Sequence, residues 1–152
     1  MSATARIKEL GITLPEVAKP AGAYVPAMQS GNLVFTAGQI PLVDGKLVAT
    51  GKVGKEISVE QARDIARICA LNALAAVKGV VGDLDRVKKV VKVVGFVAST
   101  ADFTQQPQVV NGASELLEQI LGANGIHARS AVGVAVLPLD APVEIELIVE
   151  ID

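Results

Sequence analysis

The sequence has no tryptophan, one tyrosine, three phenylalanines, one histidine and one cysteine, and only 20% of it is charged. Each shortage closes off a class of function. So few aromatic faces make a poor platform for stacking bases. A net charge of −2 and a pI near 5.4 supply no basic stripe for phosphates, so no nucleic-acid partner is expected. The lone Cys69 rules out a disulfide framework and any multi-thiolate metal site. The lone His127 rules out His-rich metal sites, and the Walker, dinucleotide-binding, H-E-x-x-H and C-x-x-C patterns are missing. Neither a metal nor a cofactor is expected. Long apolar runs are missing too. Arg67 and Lys78 interrupt the stretch from Ile65 to Val81, well short of the ~20 clean residues of a spanning helix. Arg6, Lys8 and Glu9 break the first ten residues, unlike a signal peptide. The expectation is a cytoplasmic protein with no membrane partner.

What is present is apolar: 51% of the 152 residues, with a mean hydropathy of +0.47. That length suits one domain. Ordinary domains carry about 25% charged residues, so this chain has apolar surface to spare, a first hint that copies bury surface against one another.

Residues 1–20 read as a helical turn followed by an irregular leader carrying Pro15 and Pro20, an N-terminal extension ahead of a single domain over 21–152. Two short strands flank the turn Ser30-Gly31-Asn32. Pro41 and Asp44-Gly45 mark a loop. Ser58 and Gln61 form a capping box opening a helix with Ala62, Ile65, Ala66, Cys69, Ala73 and Ala76 on its inner face; Gly79 and Gly82 end it. Valine-rich Arg86 to Ala98 reads as a strand. Pro107 starts a second helix with Val109, Val110, Ala113, Leu116, Leu117, Ile120 and Leu121 inward, stopped at Gly122. Strands over Ser130–Leu137 and Val143–Asp152 close the chain. The order β-β-α-β-α-β-β makes a single α+β domain with both helices on one face of the sheet.

Two helices cover one face only, yet the strands at Leu33 and Val93 are apolar on both alternating faces. The row Ala131, Gly133, Ala135 is small enough for another backbone to approach. Self-association through the open face follows, with any site formed there lying between subunits.

Few residues are equipped for chemistry. Arg129, at the start of a strand and in line with the small row, fits a carboxylate with two parallel bonds or serves as an ordinary salt bridge. Glu144 belongs to an acidic stripe that is solvated unless an oligomer buries it, where it would steer water or move protons. Tyr24, following Gly22, has packing as its plain reading. His127, in a loop before Ala128-Arg129, reads as a surface residue. Cys69 reads as a small core hydrophobe, and Asn111 as a mid-helix amide that is solvated or reaches a neighbouring loop.

Two segments carry more. Gly22-Ala23-Tyr24-Val25 with Ser30-Gly31-Asn32-Leu33-Val34-Phe35-Thr36-Ala37-Gly38-Gln39-Ile40-Pro41, and Ala128-Arg129-Ser130-Ala131-Val132 with Leu137-Pro138 and Val143-Glu144-Ile145-Glu146, resemble the opening and closing signatures of the Rid (YjgF-type, RidA-like) family of reactive intermediate deaminases. Gly95-Phe96-Val97, Asp102-Phe103 and Val110-Asn111 agree between them. The resemblance implies a chorismate-mutase-like fold and a homotrimer with sites in the clefts between subunits. It implies cofactor-free hydrolysis of 2-aminoacrylate-type enamines and imines to 2-oxoacids and ammonia. In that pattern Arg129 holds the substrate carboxylate, Glu144 orients or activates water, and Tyr24 lines the pocket. Gly38, Ala131, Ala37, Asn111 and Phe96 fall among the substrate-binding positions. Ala37 and Ala131 stand where the family usually has serine and cysteine, departures that bear on substrate preference. The alternative is a non-catalytic trimer that binds small carboxylates, as a regulator.

Overall fold

A computed structural model describes residues 1–152. Strands β1 (Ala27–Ser30), β2 (Leu33–Thr36), β5 (Val87–Ala98), β6 (Ala128–Val134) and β7 (Val143–Ile151) form a five-stranded sheet in the order β1-β2-β7-β5-β6. Every pairing is antiparallel except β5 with β6, which are joined by a helical crossover. The long helices α2 (Val59–Val81) and α3 (Gln106–Leu121) pack side by side on one face. The architecture is the expected α+β domain, with a further helix, α1 (Ala3–Glu9), and a two-strand hairpin, β3 (Leu42–Val43) and β4 (Lys46–Leu47).

Local chemistry explains the ends of these elements. The Ser58 side chain accepts from the Gln61 backbone N–H while the Gln61 side chain accepts from that of Ser58, the capping box read from the sequence. Gly82 closes α2 at φ +84; Gly79, expected to share that role, lies inside the helix. There its missing side chain admits Val17 of the leader, whose methyl would lie 3.2 Å from a Cβ at this position. Asp44 and Gly45 both adopt positive φ, +51 and +78, the combination that suits a tight hairpin, so the loop expected here carries two short paired strands. Asn72 of α2 fastens that hairpin by donating to the carbonyls of Ile40 and Leu42.

The core is built from the inward rows of α2, α3 and the sheet, including Cys69. Burial pushes the Cys69 thiol up and the thiol donates to the Val143 carbonyl, as befits a small core hydrophobe. At Gly112 a Cβ would collide with the Arg63 carbonyl. The helices can approach this closely only because α3 has hydrogen there. Arg63–Glu115 and Arg67–Gln119 bonds cross the same seam. Residues 1–20 pack onto this body: Ala3 is buried, Ile7, Ile12 and Leu14 lie against the core, and Thr4 N–H donates to Asp85.

The closing part of the sheet differs from expectation. β6 begins at Ala128 and ends at Val134, not Leu137. Its sole ladder partner is β5, which stops at Ala98 opposite Val134, so residues 135–137 have nothing to pair with. The small row also faces the other way from the one expected. Ala131 and Gly133 share a side with Gly95 and Val97, toward α3, and Ala131 packs on the core. The uncovered face instead carries Met28 (60% exposed), Phe35 (41%) and Val132 (43%), with half-buried Val94, Phe96 and Ile148. That face is open and combines these apolar side chains with Glu144, Glu146, Lys92 and the Lys89–Glu150 pair, and the outer edge of β6 pairs with no strand.

Candidate active site

Arg129 is the second residue of β6, and its half-buried side chain turns toward α3. One guanidinium nitrogen, Nη1, donates to Asn111 Oδ1 at 2.8 Å and to Ser114 Oγ at 3.1 Å; Nη2 reaches the Pro107 carbonyl at 3.4 Å. Asn111 and Ser114 lie three residues apart and so share one face of α3. All three acceptors are neutral. Arg129 belongs to none of the four salt bridges, Lys52–Asp140, Arg63–Glu115, Arg86–Asp152 and Lys89–Glu150. Its position is therefore fixed while its charge stays uncompensated. That combination suits capture of an anion.

His127 stands directly behind it and is not the surface residue expected. It is half-buried, with Nε2 2.9 Å from Ser114 Oγ and Nδ1 2.6 Å from the Gly125 carbonyl. Burial holds the imidazole below its ordinary value; the Gly125 carbonyl pulls the other way and the Arg129 charge reinforces the burial. Sequence reasoning passed over Ser114 because a serine inside a helix carries no signal of its own.

Glu144 lies on the opposite face of the sheet. It is the second residue of β7, directly across from Phe96 of β5. Gly38 crowds it, since a Cβ at that position would overlap the Glu144 carboxylate. The segment around Gly38 is held there by reciprocal backbone bonds between Gln39 and Ile145, and Ala37 precedes it, its N–H donating to the Pro26 carbonyl. Burial pushes the half-buried Glu144 carboxyl up, and Glu146, two residues along on the same face, adds to the effect. Glu144 is in no salt bridge either.

The expected site residues thus form two clusters. Arg129, Asn111 and Ala131 gather on the helix side of the β6 edge. Glu144, Gly38 and Phe96 gather on the open side, with Ala37 next to Gly38. Tyr24 joins neither by any hydrogen bond; it sits in the irregular segment before β1 and is 57% exposed. A 690 Å³ cavity between the leader, the β3–β4 hairpin and α2 is lined by Thr13, Lys19, Asp44 and Asn72 among others and includes none of these residues. No three His, Cys, Asp or Glu side chains converge as a metal site would require, and no helix is long and apolar enough to cross a membrane.

A model of the family described as "YjgF/chorismate mutase-like, putative endoribonuclease" matches residues 4–151. The chain belongs to the YjgF/chorismate-mutase-like family. Protein TCP17 of Trypanosoma cruzi is 44% identical over 149 residues, covering 97% of this chain and 93% of that one. The crystal structure of an Agrobacterium tumefaciens protein of unknown function is 49% identical and superposes with a TM-score of 0.91, covering 99% of this chain and 94% of that one. Escherichia coli TdcF, solved with bound serine, is 27% identical with a TM-score of 0.66, covering 91% of this chain and 94% of that one. The YjgF-type resemblance drawn from the two terminal motifs therefore holds at the level of family and fold.

Proposed function

We propose that the protein hydrolyses 2-imino and 2-enamino acids to 2-oxoacids and ammonia, without a cofactor, at sites shared between subunits of a homotrimer. The observation that carries this reading is the half-buried guanidinium of Arg129, which is held by three neutral acceptors and has no anion of its own. A charge held this way is worth most to a ligand carrying a carboxylate. Bound serine in TdcF, a relative by fold, is a ligand of that class.

Arg129 and Glu144 of one chain lie on opposite sides of one sheet, so a single chain cannot apply both to one small substrate. Two chains can, if the uncovered face of one meets the β6 edge of the next. That contact would cover Met28, Phe35 and Val132 and bring Glu144 toward the partner's Arg129. A closed ring of such head-to-tail contacts is a cyclic trimer.

In such a cleft Arg129 holds the substrate carboxylate in a bidentate grip. Water positioned by Glu144 adds to the imine carbon, and Glu144 takes its proton. Glu144 returns that proton to nitrogen to give the carbinolamine, then carries the hydroxyl proton from oxygen to nitrogen as the C–N bond breaks, and ammonia leaves behind a 2-oxoacid. The raised Glu144 carboxyl suits this work, because a base is most effective when its pKa approaches the working pH. Such imines arise when pyridoxal-phosphate enzymes release enamines, and they decay in water, so the cytoplasm where they form is the compartment this reading requires.

A ribonuclease role draws support only from printed descriptions, those of the family and of structural relatives such as a "putative endoribonuclease" of Shewanella oneidensis. The open face presents Glu144 and Glu146, neither in a salt bridge, which repel a phosphate backbone. The deciding experiment follows release of pyruvate and ammonia from freshly generated 2-iminopropanoate. The wild-type chain is expected to accelerate both, and the Arg129→Ala chain to lose that acceleration. A wild-type rate equal to the uncatalysed one, with pyruvate still binding, would favour the carboxylate-binding regulator instead.

A further inference from the structure

The hydrogen bonds behind Arg129 run in one direction. The Gly125 carbonyl can only accept, so His127 Nδ1 at 2.6 Å must carry the proton. With that tautomer fixed, Nε2 is a bare acceptor, and the Ser114 hydroxyl at 2.9 Å donates to it. The hydroxyl proton being committed to His127, Ser114 Oγ turns a lone pair to Arg129 Nη1 at 3.1 Å. The reversed tautomer would set two lone pairs against each other at the Gly125 end.

The starting point of this chain is rigid. Gly125 is buried, and a Cβ there would collide with the Leu117 carbonyl, so its backbone lies directly against the last turn of α3. Burial and the neighbouring Arg129 charge both keep the imidazole neutral, as the chain requires, since a protonated ring has no acceptor left for Ser114.

We propose that Ser114 and His127 are positioning residues, which through a single directed chain of hydrogen bonds from the Gly125 carbonyl hold the Arg129 guanidinium ready for its ligand. Neither touches the reacting atoms. The proposal rests on the reading above in which Arg129 anchors the substrate carboxylate. Neutral Ser114 serves here where a carboxylate would not. An Asp or Glu at that position would orient the guanidinium and also cancel its charge.

Because Arg129 would hold the carboxylate equally in ground and transition states, loosening it should raise KM while leaving kcat nearly unchanged. The test measures kcat and KM for 2-iminopropanoate and the Kd for pyruvate on assembled protein. Ser114→Ala and His127→Ala are each expected to raise KM and Kd about tenfold, the loss of one bond to a charged group, with kcat within about twofold. Ser114→Thr keeps the hydroxyl and should restore both to within about threefold of wild type. His127→Gln places an acceptor where Nε2 stood and should recover part of the affinity. His127→Asn, long enough to reach only the Gly125 carbonyl, should not. If Ser114→Ala fails to assemble, this His127 pair carries the test.

Wild-type KM and Kd in Ser114→Ala and His127→Ala, with Arg129→Ala defective, would overturn the positioning role and leave the anchor standing. A fall in kcat at unchanged KM would overturn it as well. Wild-type values in Arg129→Ala would instead remove the anchor, and with it the reading on which this inference rests.

Discussion

Arg129 and Glu144 occupy opposite faces of the same sheet. On β5, the Arg129 side is marked by Val93 and Gly95, facing α3, and the Glu144 side by Phe96, facing outward. Both side chains are half-buried and both are outside every salt bridge; Arg129 is held by Asn111, Ser114 and the Pro107 carbonyl, and Gly38 packs against Glu144. A site shared between subunits, as proposed above, leads from this arrangement to a set of measurements.

Assembly is the first of these. Light scattering at micromolar concentration is expected to give three times the 15.7 kDa chain mass, because the open face leaves Met28, Phe35 and Val132 uncovered together in a monomer. A monomer mass would remove the shared site.

Arg129→Lys should behave like Arg129→Ala for pyruvate binding, since an ammonium cannot reproduce the planar fork. Losing a charge-assisted pair in a partly desolvated cleft costs roughly 2–5 kcal/mol. Calorimetric titration checks this, and wild-type affinity in the lysine variant would return Arg129 to an ordinary surface arginine.

Glu144→Gln removes a proton acceptor while keeping shape, so the rate of imine hydrolysis should drop by about 10²-fold or more with pyruvate affinity retained. The wild-type rate must fall as acid protonates Glu144. With its carboxyl pushed up by burial and by Glu146, that fall should lie above the ordinary glutamate value of about 4.3. Glu146→Gln removes one of the two causes and should move the acid limb of kcat/KM to lower pH. A limb that stays in place in that variant would show another group titrating.

The sole histidine gives an unambiguous NMR titration. His127 is held below its ordinary value, chiefly by burial, so its ring signals should move at a pH below about 6.5. The sign for stability follows: a group whose folded pKa is depressed leaves stability whole above the unfolded value and lowers it as pH falls toward the folded one. His127→Gln should therefore flatten the decline in melting temperature just below that value. A titration at or above it would mean the ring is not buried as described.

Much of the fold was legible in the sequence, and so was part of the site. The capping box at Ser58, Pro107, Gly122 and the strict alternation from Val143 are local signals, and local signals survive into structure. The ends of β6 were not legible, because a strand stops where its neighbour stops, and Ala98 is distant in sequence. The direction of the Ala131–Gly133 row depends on which face α3 covers, and alternation alone cannot tell one face from the other. Arg129 and Glu144 stood out through their motifs. Ser114 and His127 did not, since their meaning lies in a partner brought by the fold; the one available hint was the three-residue spacing of Asn111 and Ser114 on a single helix face.

Gly112→Ala tests the packing that carries Asn111 and Ser114. On propensity alone it should stabilise α3 by about 1 kcal/mol. The added methyl meets the Arg63 carbonyl, and overpacking of this kind typically costs 1–3 kcal/mol, more where backbone must move. Packing should win, giving a lower melting temperature. A higher one would mean that α2 and α3 separate easily.

The most direct test of a site shared between subunits is the hydrolysis rate of mixed trimers. Arg129→Ala chains, weakened in substrate binding, and Glu144→Gln chains, slowed about 10²-fold or more, are unfolded together in equal amounts and allowed to reassemble. They are assayed well below the wild-type KM, where each alone has little activity. Each interface draws its arginine from one chain and its glutamate from the next, so about a quarter of the sites should regain both residues by random assortment in a head-to-tail ring. Recovery of 2-iminopropanoate hydrolysis to roughly that fraction of a wild-type sample treated in the same way is the expected result. Mixed trimers that form and remain as inactive as either parent, beside an active wild-type control, would contradict it.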